Sequence, residues 1–137
     1  MHSIPNQLKE VNSRDFENLT ACILKEQHQI SKACNTLSAR NFSTRLEIYR
    51  KINLAKDYMK GIPNRAGPLD EVLAVVGLSK FHFSRQFKNL EGVSPSKFHL
   101  NYRLDLAYKA LLNKKVSIKE LSILYGFSDI HHFSKAF

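Results

Sequence analysis

One corner of this chain occurs twice. Gly77-Leu78-Ser79, followed by Phe83-Ser84-Arg85-Gln86-Phe87, returns 49 residues later as Gly126-Phe127-Ser128, followed by Phe133-Ser134-Lys135-Ala136-Phe137. The second copy has one extra residue before its first phenylalanine. A glycine behind an apolar run suits a helix end, because the chain must take a positive φ before it reverses. A serine directly after it marks the start of the next helix. Each copy therefore predicts a short helix, a glycine corner and a helix beginning at serine, which is the helix-turn-helix arrangement. Phenylalanines four apart share one helix face, so Phe83 with Phe87, and Phe133 with Phe137, are predicted to pack inward against the preceding helix.

The rest of the chain keeps a helical period, and no five-residue alternating run suggests a strand. The predicted fold class is all-α: two helix-turn-helix units joined by a long linker helix, preceded by an N-terminal amphipathic helix. Phe16, Ile23, Ile30 and Leu37 fall seven apart with Leu19 and Ala33 between them, which predicts one apolar stripe over residues 15–37, with Ser13 as its cap. Such a stripe serves either packing within its own domain or the seam of a homodimer. Cys22 and Cys34 lie in or beside it, where buried cysteine is common. Thr44 and Glu47 have capping-box spacing and predict the start of a second helix, which Gly61 as a left-handed cap and Pro63 as a breaker would stop. Residues 1–43 are thus expected to form a linking or dimerising segment, and residues 44–137 a second domain. Within that domain the first helix pair is placed at about 69–90, the linker helix at about 95–113 and the second pair at about 118–137. Ser94-Pro95 is the cap and first position of the linker, whose apolar face is expected to hold Leu100, Leu104, Ala107 and Leu111.

Charge narrows the class of partner without locating it. The 137 residues carry 21 Lys plus Arg against 12 Asp plus Glu, a formal charge of +9 that points to an anionic partner. Residues 1–65 hold 11 basic and 6 acidic residues and residues 66–137 hold 10 and 6, so the excess is even along the chain. The longest apolar run, residues 72–76, is far short of the roughly 20 residues of a membrane-spanning helix. With no secretory pattern at the start and only two cysteines, a reducing cytoplasm is the expected location. Enzymatic chemistry is not expected: there is no phosphate-cradling glycine loop, no paired-histidine zinc motif and no glycine-flanked nucleophile. No cofactor or metal is expected either, since His131 and His132 are adjacent and diverge on a helix, and His82 and His99 have no ligand companion.

The outer faces of the two second helices are the candidate site. In the first copy that face carries Lys80, Phe81, Ser84, Arg85 and Lys88, near the end that a recognition helix presents to the major groove. Arg85 can pair with guanine through two hydrogen bonds, and Phe81 can touch a thymine methyl. Taken alone these would be an ordinary solvated face; the duplicated setting favours DNA contact. In the second copy the corresponding positions are Ile130, His131, Ser134 and Lys135, a less basic set. A linker over 95–113 would span roughly 28 Å, comparable with the roughly 34 Å repeat of the major groove. One chain would then read a bipartite site on double-stranded promoter DNA. The competing reading is a helical interaction module in which the N-terminal helix does the work.

Residues 48–137 resemble the DNA-binding domain of AraC/XylS-type bacterial transcription regulators. The resemblance rests on Gly77-Leu78-Ser79, His82-Phe83-Ser84-Arg85-Gln86-Phe87-Lys88, Gly92-Val93-Ser94-Pro95, Arg103-Leu104 with Ala107 and Leu111-Leu112, Ser117-Ile118-Lys119-Glu120, and Gly126-Phe127-Ser128-Asp129 with Phe133-Ser134-Lys135-Ala136-Phe137. It implies a seven-helix domain that binds promoter DNA, usually activating transcription through contacts with RNA polymerase. It also implies base contacts by Phe81, Ser84 and Arg85 in the first unit and by Ile130, His131, Ser134 and Lys135 in the second. The sequence departs from the family pattern at Leu73 and Ser122, where alanine is common, and at Lys135, where arginine is common. The family pattern runs on by a further helix past the position of Phe137, so the resemblance implies a domain cut short and a regulator longer than this segment.

Overall fold

The computed structural model describes residues 13–113 and 116–136, and the regular structure among them is entirely helical. The elements are α1 (Ser13–Cys34), α2 (Phe42–Gly61), α3 (Leu69–Val76), α4 (Lys80–Glu91), α5 (Pro95–Leu112), α6 (Ile118–Leu124) and α7 (Ile130–Ala136). The all-α expectation holds. The chain divides into two compact units between Ala33 and Cys34.

Along α1 the side chains of Phe16, Leu19, Ile23 and Leu24 are exposed, as is Cys22, which the stripe had suggested would be covered. The stripe is also shorter than the heptad spacing predicts. The helix ends at Cys34, the Leu37 N–H donates to the Cys34 carbonyl, and Leu37 leaves the stripe to become 4% exposed in the core of the second unit. Asn35, Thr36 and Ser38 favour such a local turn because their side chains compete for backbone groups. For Leu37, burial among other apolar groups is the better environment.

The second unit is built on α2. Ile48, Ile52, Ala55 and Met59 repeat at three and four residues, so one face of α2 meets Val72 and Val76 of α3 and Phe83 and Phe87 of α4 in a single core. Its start and stop differ from the sequence expectation. Asn41 caps the helix, its Oδ1 accepting from the Thr44 N–H at 3.1 Å, so Thr44 and Glu47 lie inside the first turns. Asparagine is among the best capping residues, and it comes first in the chain. Gly61 is the last helical residue; Ile62 takes the cap with φ −127, and the left-handed glycine of this connection is Gly67, before Pro68.

The glycine corners fall where the repeat put them. Gly77 ends α3 with φ 64, and Ser79 caps α4 by accepting from the His82 N–H. The α6–α7 corner has Gly126 at φ 66, but the cap of α7 is Asp129, not Ser128: its Oδ1 accepts from the His132 N–H at 2.7 Å. Aligned on their caps, the two copies agree without a gap, since Phe83 and Phe133 each follow the cap by four residues. The extra residue therefore sits in the corner. Ser117 and Glu120 form a reciprocal capping box at the start of α6.

Gly77 and Gly126 differ in their surroundings. A Cβ on Gly77 would meet open space, whereas a Cβ on Gly126 would collide with the Asn64 carbonyl and the Arg65 Cα in the loop between α2 and α3. The second corner is thus pressed against the first helix pair, and only glycine fits. Gly77→Ala is expected to lower stability by about 1–2 kcal/mol from the left-handed backbone alone. Gly126→Ala should add an overpacking cost of about 1–3 kcal/mol. Urea unfolding of the two variants checks this, and equal losses would contradict the close approach.

Candidate nucleic-acid interface

The faces proposed from sequence are positioned by what lies behind them. Phe83 and Phe87 are fully buried with ring centroids 5.4 Å apart, and Phe87 meets Phe98 of α5 edge-on at 5.5 Å. Burying each ring contributes about 1.5–3 kcal/mol, enough to fix the rotation of α4 about its axis. Gln86 is buried too, its Oε1 accepting from the Ser38 N–H at 3.1 Å, and Asn89 donates to Ser38 Oγ. At the far end Glu91 pairs with Lys56 at 2.7 Å, and that ammonium lies over the Phe98 ring. With three sides held, the outer face of α4 is left to Lys80, Phe81, Arg85 and Lys88, all exposed, with Ser84 half-buried beside them. Phe81 is 77% exposed. Between Lys80 and Lys88 the helix carries no carboxylate, and the cap is a neutral serine.

In α7, Phe133 is buried and meets Phe127 edge-on at 5.0 Å. Ile130, His131, Ser134 and Lys135 are exposed on the other side. The structure thus places every candidate residue on an outward face, those of α4 together on one helix and those of α7 together on another. Phe137, predicted to pack inward, lies outside the described residues. The electrostatics differ between the two helices. α7 begins at an exposed carboxylate, Asp129, held below its usual value first by the His132 N–H it accepts from. Its one lysine there is Lys135.

The residues that hold the two helix pairs together are the ones that sequence reasoning missed. On α5 the expected leucine face gives way to a more buried line of Pro95, His99, Arg103 and Ala107, four residues apart, with Leu100 and Leu104 half-buried beside it. Arg103 is 4% exposed. Its Nε donates to the Tyr125 carbonyl and an Nη to the Gly126 carbonyl, both at 2.7 Å, and the guanidinium lies 4.3 Å from the centre of the Phe127 ring. One turn earlier His99, which lacked a partner in the sequence, donates from Nε2 to the Ile62 carbonyl at 3.2 Å. Burial lowers its proton affinity and so favours the neutral ring. The loop that Gly126 presses on is braced in turn: Arg65 reaches Glu71 with both Nη atoms, and the Tyr58 hydroxyl donates to the same carboxylate at 2.8 Å. The Arg65 guanidinium first, then the Tyr58 hydroxyl, pull the Glu71 carboxyl down to about 2. The available signal was the spacing of His99, Arg103 and Ala107, which puts two polar side chains on the covered face of a helix.

The comparisons agree with this architecture. A helix-turn-helix domain family matches residues 72–137, a stretch that takes in most of α3 and the helices after it. The chain is 30% identical over 90 residues to a protein named probable transcription factor PqrA of Proteus vulgaris, covering 62% of this chain and 74% of that one. It belongs to the AraC/XylS-type helix-turn-helix regulators. A second relative, the HTH-type transcriptional regulator GbdR of Pseudomonas aeruginosa, is 35% identical over 69 residues, half of this chain but 19% of the relative. An uncharacterized HTH-type transcriptional regulator of Escherichia coli, YidL, is 34% identical over 67 residues, 49% of this chain and 23% of the relative. This chain of the AraC/XylS type therefore spans most of one relative and about a fifth of others. No solved structure matches it at a significant level. Its helix-turn-helix part is a DNA-binding domain of the kind used in transcription regulation. No helix among the described residues is long and apolar enough to cross a membrane.

Arg103→Lys keeps the charge but cannot reach two carbonyls at once. It is expected to lower stability by about 1.5–3 kcal/mol, the range for hydrogen bonds to a charged group. Hydrogen exchange should quicken in α6 and α7 while the α3 and α4 amides stay protected. Uniform loss of protection through both pairs would contradict this division.

Proposed function

We propose that this protein regulates transcription by binding double-stranded promoter DNA sequence-specifically, with α4 and α7 reading successive major grooves from one chain. The observation that carries the proposal is the exposed face of α4. A phenylalanine left 77% exposed beside Lys80, Arg85 and Lys88, on a helix whose other aromatics are buried, suits a surface that meets another molecule. In this reading Lys80 and Lys88 hold phosphates, Arg85 pairs with guanine, Phe81 meets a thymine methyl and Ser84 bonds a neighbouring base edge. On α7, Ile130, His131, Ser134 and Lys135 take the second groove, with fewer charged contacts. The contacts through Arg103, His99 and Gly126 favour a fixed offset between the two helices. α5, with 18 residues and a length of roughly 27 Å at the usual rise, suits two entries on one side of the duplex.

Dimerisation through α1 belongs to the same proposal. Phe16, Leu19, Ile23 and Leu24 leave an apolar strip that a second copy would cover. With Leu37 absent from it, the seam is limited to residues 16–33. Contact with RNA polymerase rests on family membership alone.

Selection from random duplexes followed by gel-shift titration tests the reading. Affinity should fall steeply between low and moderate salt, because each phosphate contact releases a counterion. Arg85→Ala should cost roughly 1–3 kcal/mol and relax preference at one base pair, whereas Lys88→Ala should weaken all sequences alike and flatten the salt slope. No duplex binding, or binding that ignores salt, would overturn it.

A further inference from the structure

The seam between the two helix pairs is not filled. A cavity of about 190 Å³ lies between the end of α2, the loop before α3, the first turns of α5 and α7. Its walls are largely apolar, with Met59, Leu69 and Leu100 among them, and its polar groups are His99, Arg103 and His132. No aspartate or glutamate lines it. Ala66 and Ser96, both exposed, are among its lining residues.

Three features say what would occupy it. Size comes first: a dry cavity of about 150 Å³ is enough for a benzene ring, so this one takes a six-membered ring with one short substituent. Charge comes next. Arg103 is 4% exposed, and no carboxylate among the described residues pairs with it; its bonds go to two carbonyl oxygens. A buried cation held only by neutral dipoles leaves a positive potential at the cavity wall. The third feature is the donor chemistry, since a guanidinium can only donate hydrogen bonds and the His99 ring already uses Nε2 on Ile62.

We propose that this cavity binds a small organic anion: a carboxylate on a ring-sized apolar body, its oxygens towards Arg103 and its body against Met59, Leu69 and Leu100. The site is independent of the residues that face DNA. Because its walls include Leu69 of α3 and His132 of α7, a ligand there touches both helix pairs. Occupancy therefore bears on how firmly they are joined.

The test is a titration of the full chain with cyclohexanecarboxylate, followed by amide chemical shifts, with cyclohexylmethanol as the uncharged partner. The acid is expected to shift the amides of Gly67, Leu69, His99 and Leu100 saturably, with a Kd of roughly 1 mM for a ligand of so few atoms. The alcohol should bind at least about tenfold more weakly, one charged hydrogen bond being the difference. Ala66→Phe and Ser96→Phe, which each add a large ring at an exposed lining position, should each abolish the shifts while leaving the helical circular dichroism unchanged. Equal affinity for acid and alcohol would overturn the anion assignment. Shifts that persist in both folded variants, or that never saturate, would overturn the site. Neither outcome depends on DNA binding, so the reading of α4 and α7 stands or falls separately.

Discussion

A single guanidinium on the spacer helix ties the second helix pair to the rest of the molecule. Arg103 gives two hydrogen bonds to consecutive carbonyls of the α6–α7 corner and places its charge over Phe127, the aromatic residue of that corner. The corner could not otherwise bring its backbone so close, because those carbonyls would be buried without donors. Once they are satisfied, Gly126 can lie against the Asn64–Arg65 backbone, and the loop it lies on is held by Glu71 and Tyr58. His99 fastens the same loop to α5 from the other side. Each contact depends on the one before it: without the guanidinium the corner retreats, and the glycine loses its reason for being there.

The two pairs solve the same geometric problem with unequal means. Among the described residues the first has nine buried in its core, including two fully covered phenylalanines; the core of the second joins Ala107, Phe127 and Phe133 with half-buried neighbours, and Leu121 of α6 is buried as well. Apolar burial therefore carries the first pair, and polar contacts to α5 supply a larger share for the second. Elements held by few apolar contacts open most readily, so α6 and α7 form the less stable part of the domain. The outer faces follow the same inequality. α4 offers three cations and an exposed aromatic; α7 offers one lysine and starts at a carboxylate. Under the proposed function the first helix would supply most of the affinity, and the second would add discrimination through its register with the first.

Much of this was legible in the residues. The repeated glycine corner located both helix pairs, and the spacing of Phe83 and Phe87 separated the inner face of α4 from the outer one, because burial of large aromatics dominates the choice of face. Local competition was harder to read. Asn41 outranked a good capping box at Thr44, Asp129 displaced Ser128, and Leu37 left a heptad stripe for a core that no local pattern reveals. The seam itself was hidden: the expected face of α5 includes Ala107, which is buried, but also Leu100 and Leu104, which are only half-buried, while His99 and Arg103 are buried instead. Their value comes from carbonyl oxygens of residues 62, 125 and 126, contacts across 22 to 37 positions of chain that only the folded arrangement brings together.

The central claim is that one chain holds two reading helices at a fixed offset. The direct measurement takes a duplex selected by this protein and moves one half-site by half a helical turn, about five base pairs. A rigid reader loses the second helix's contacts, so affinity should fall to that of a duplex carrying a single half-site. Affinity unchanged by the insertion would mean that the two helix pairs move independently, and the account of Arg103 and Gly126 as a lock would be wrong.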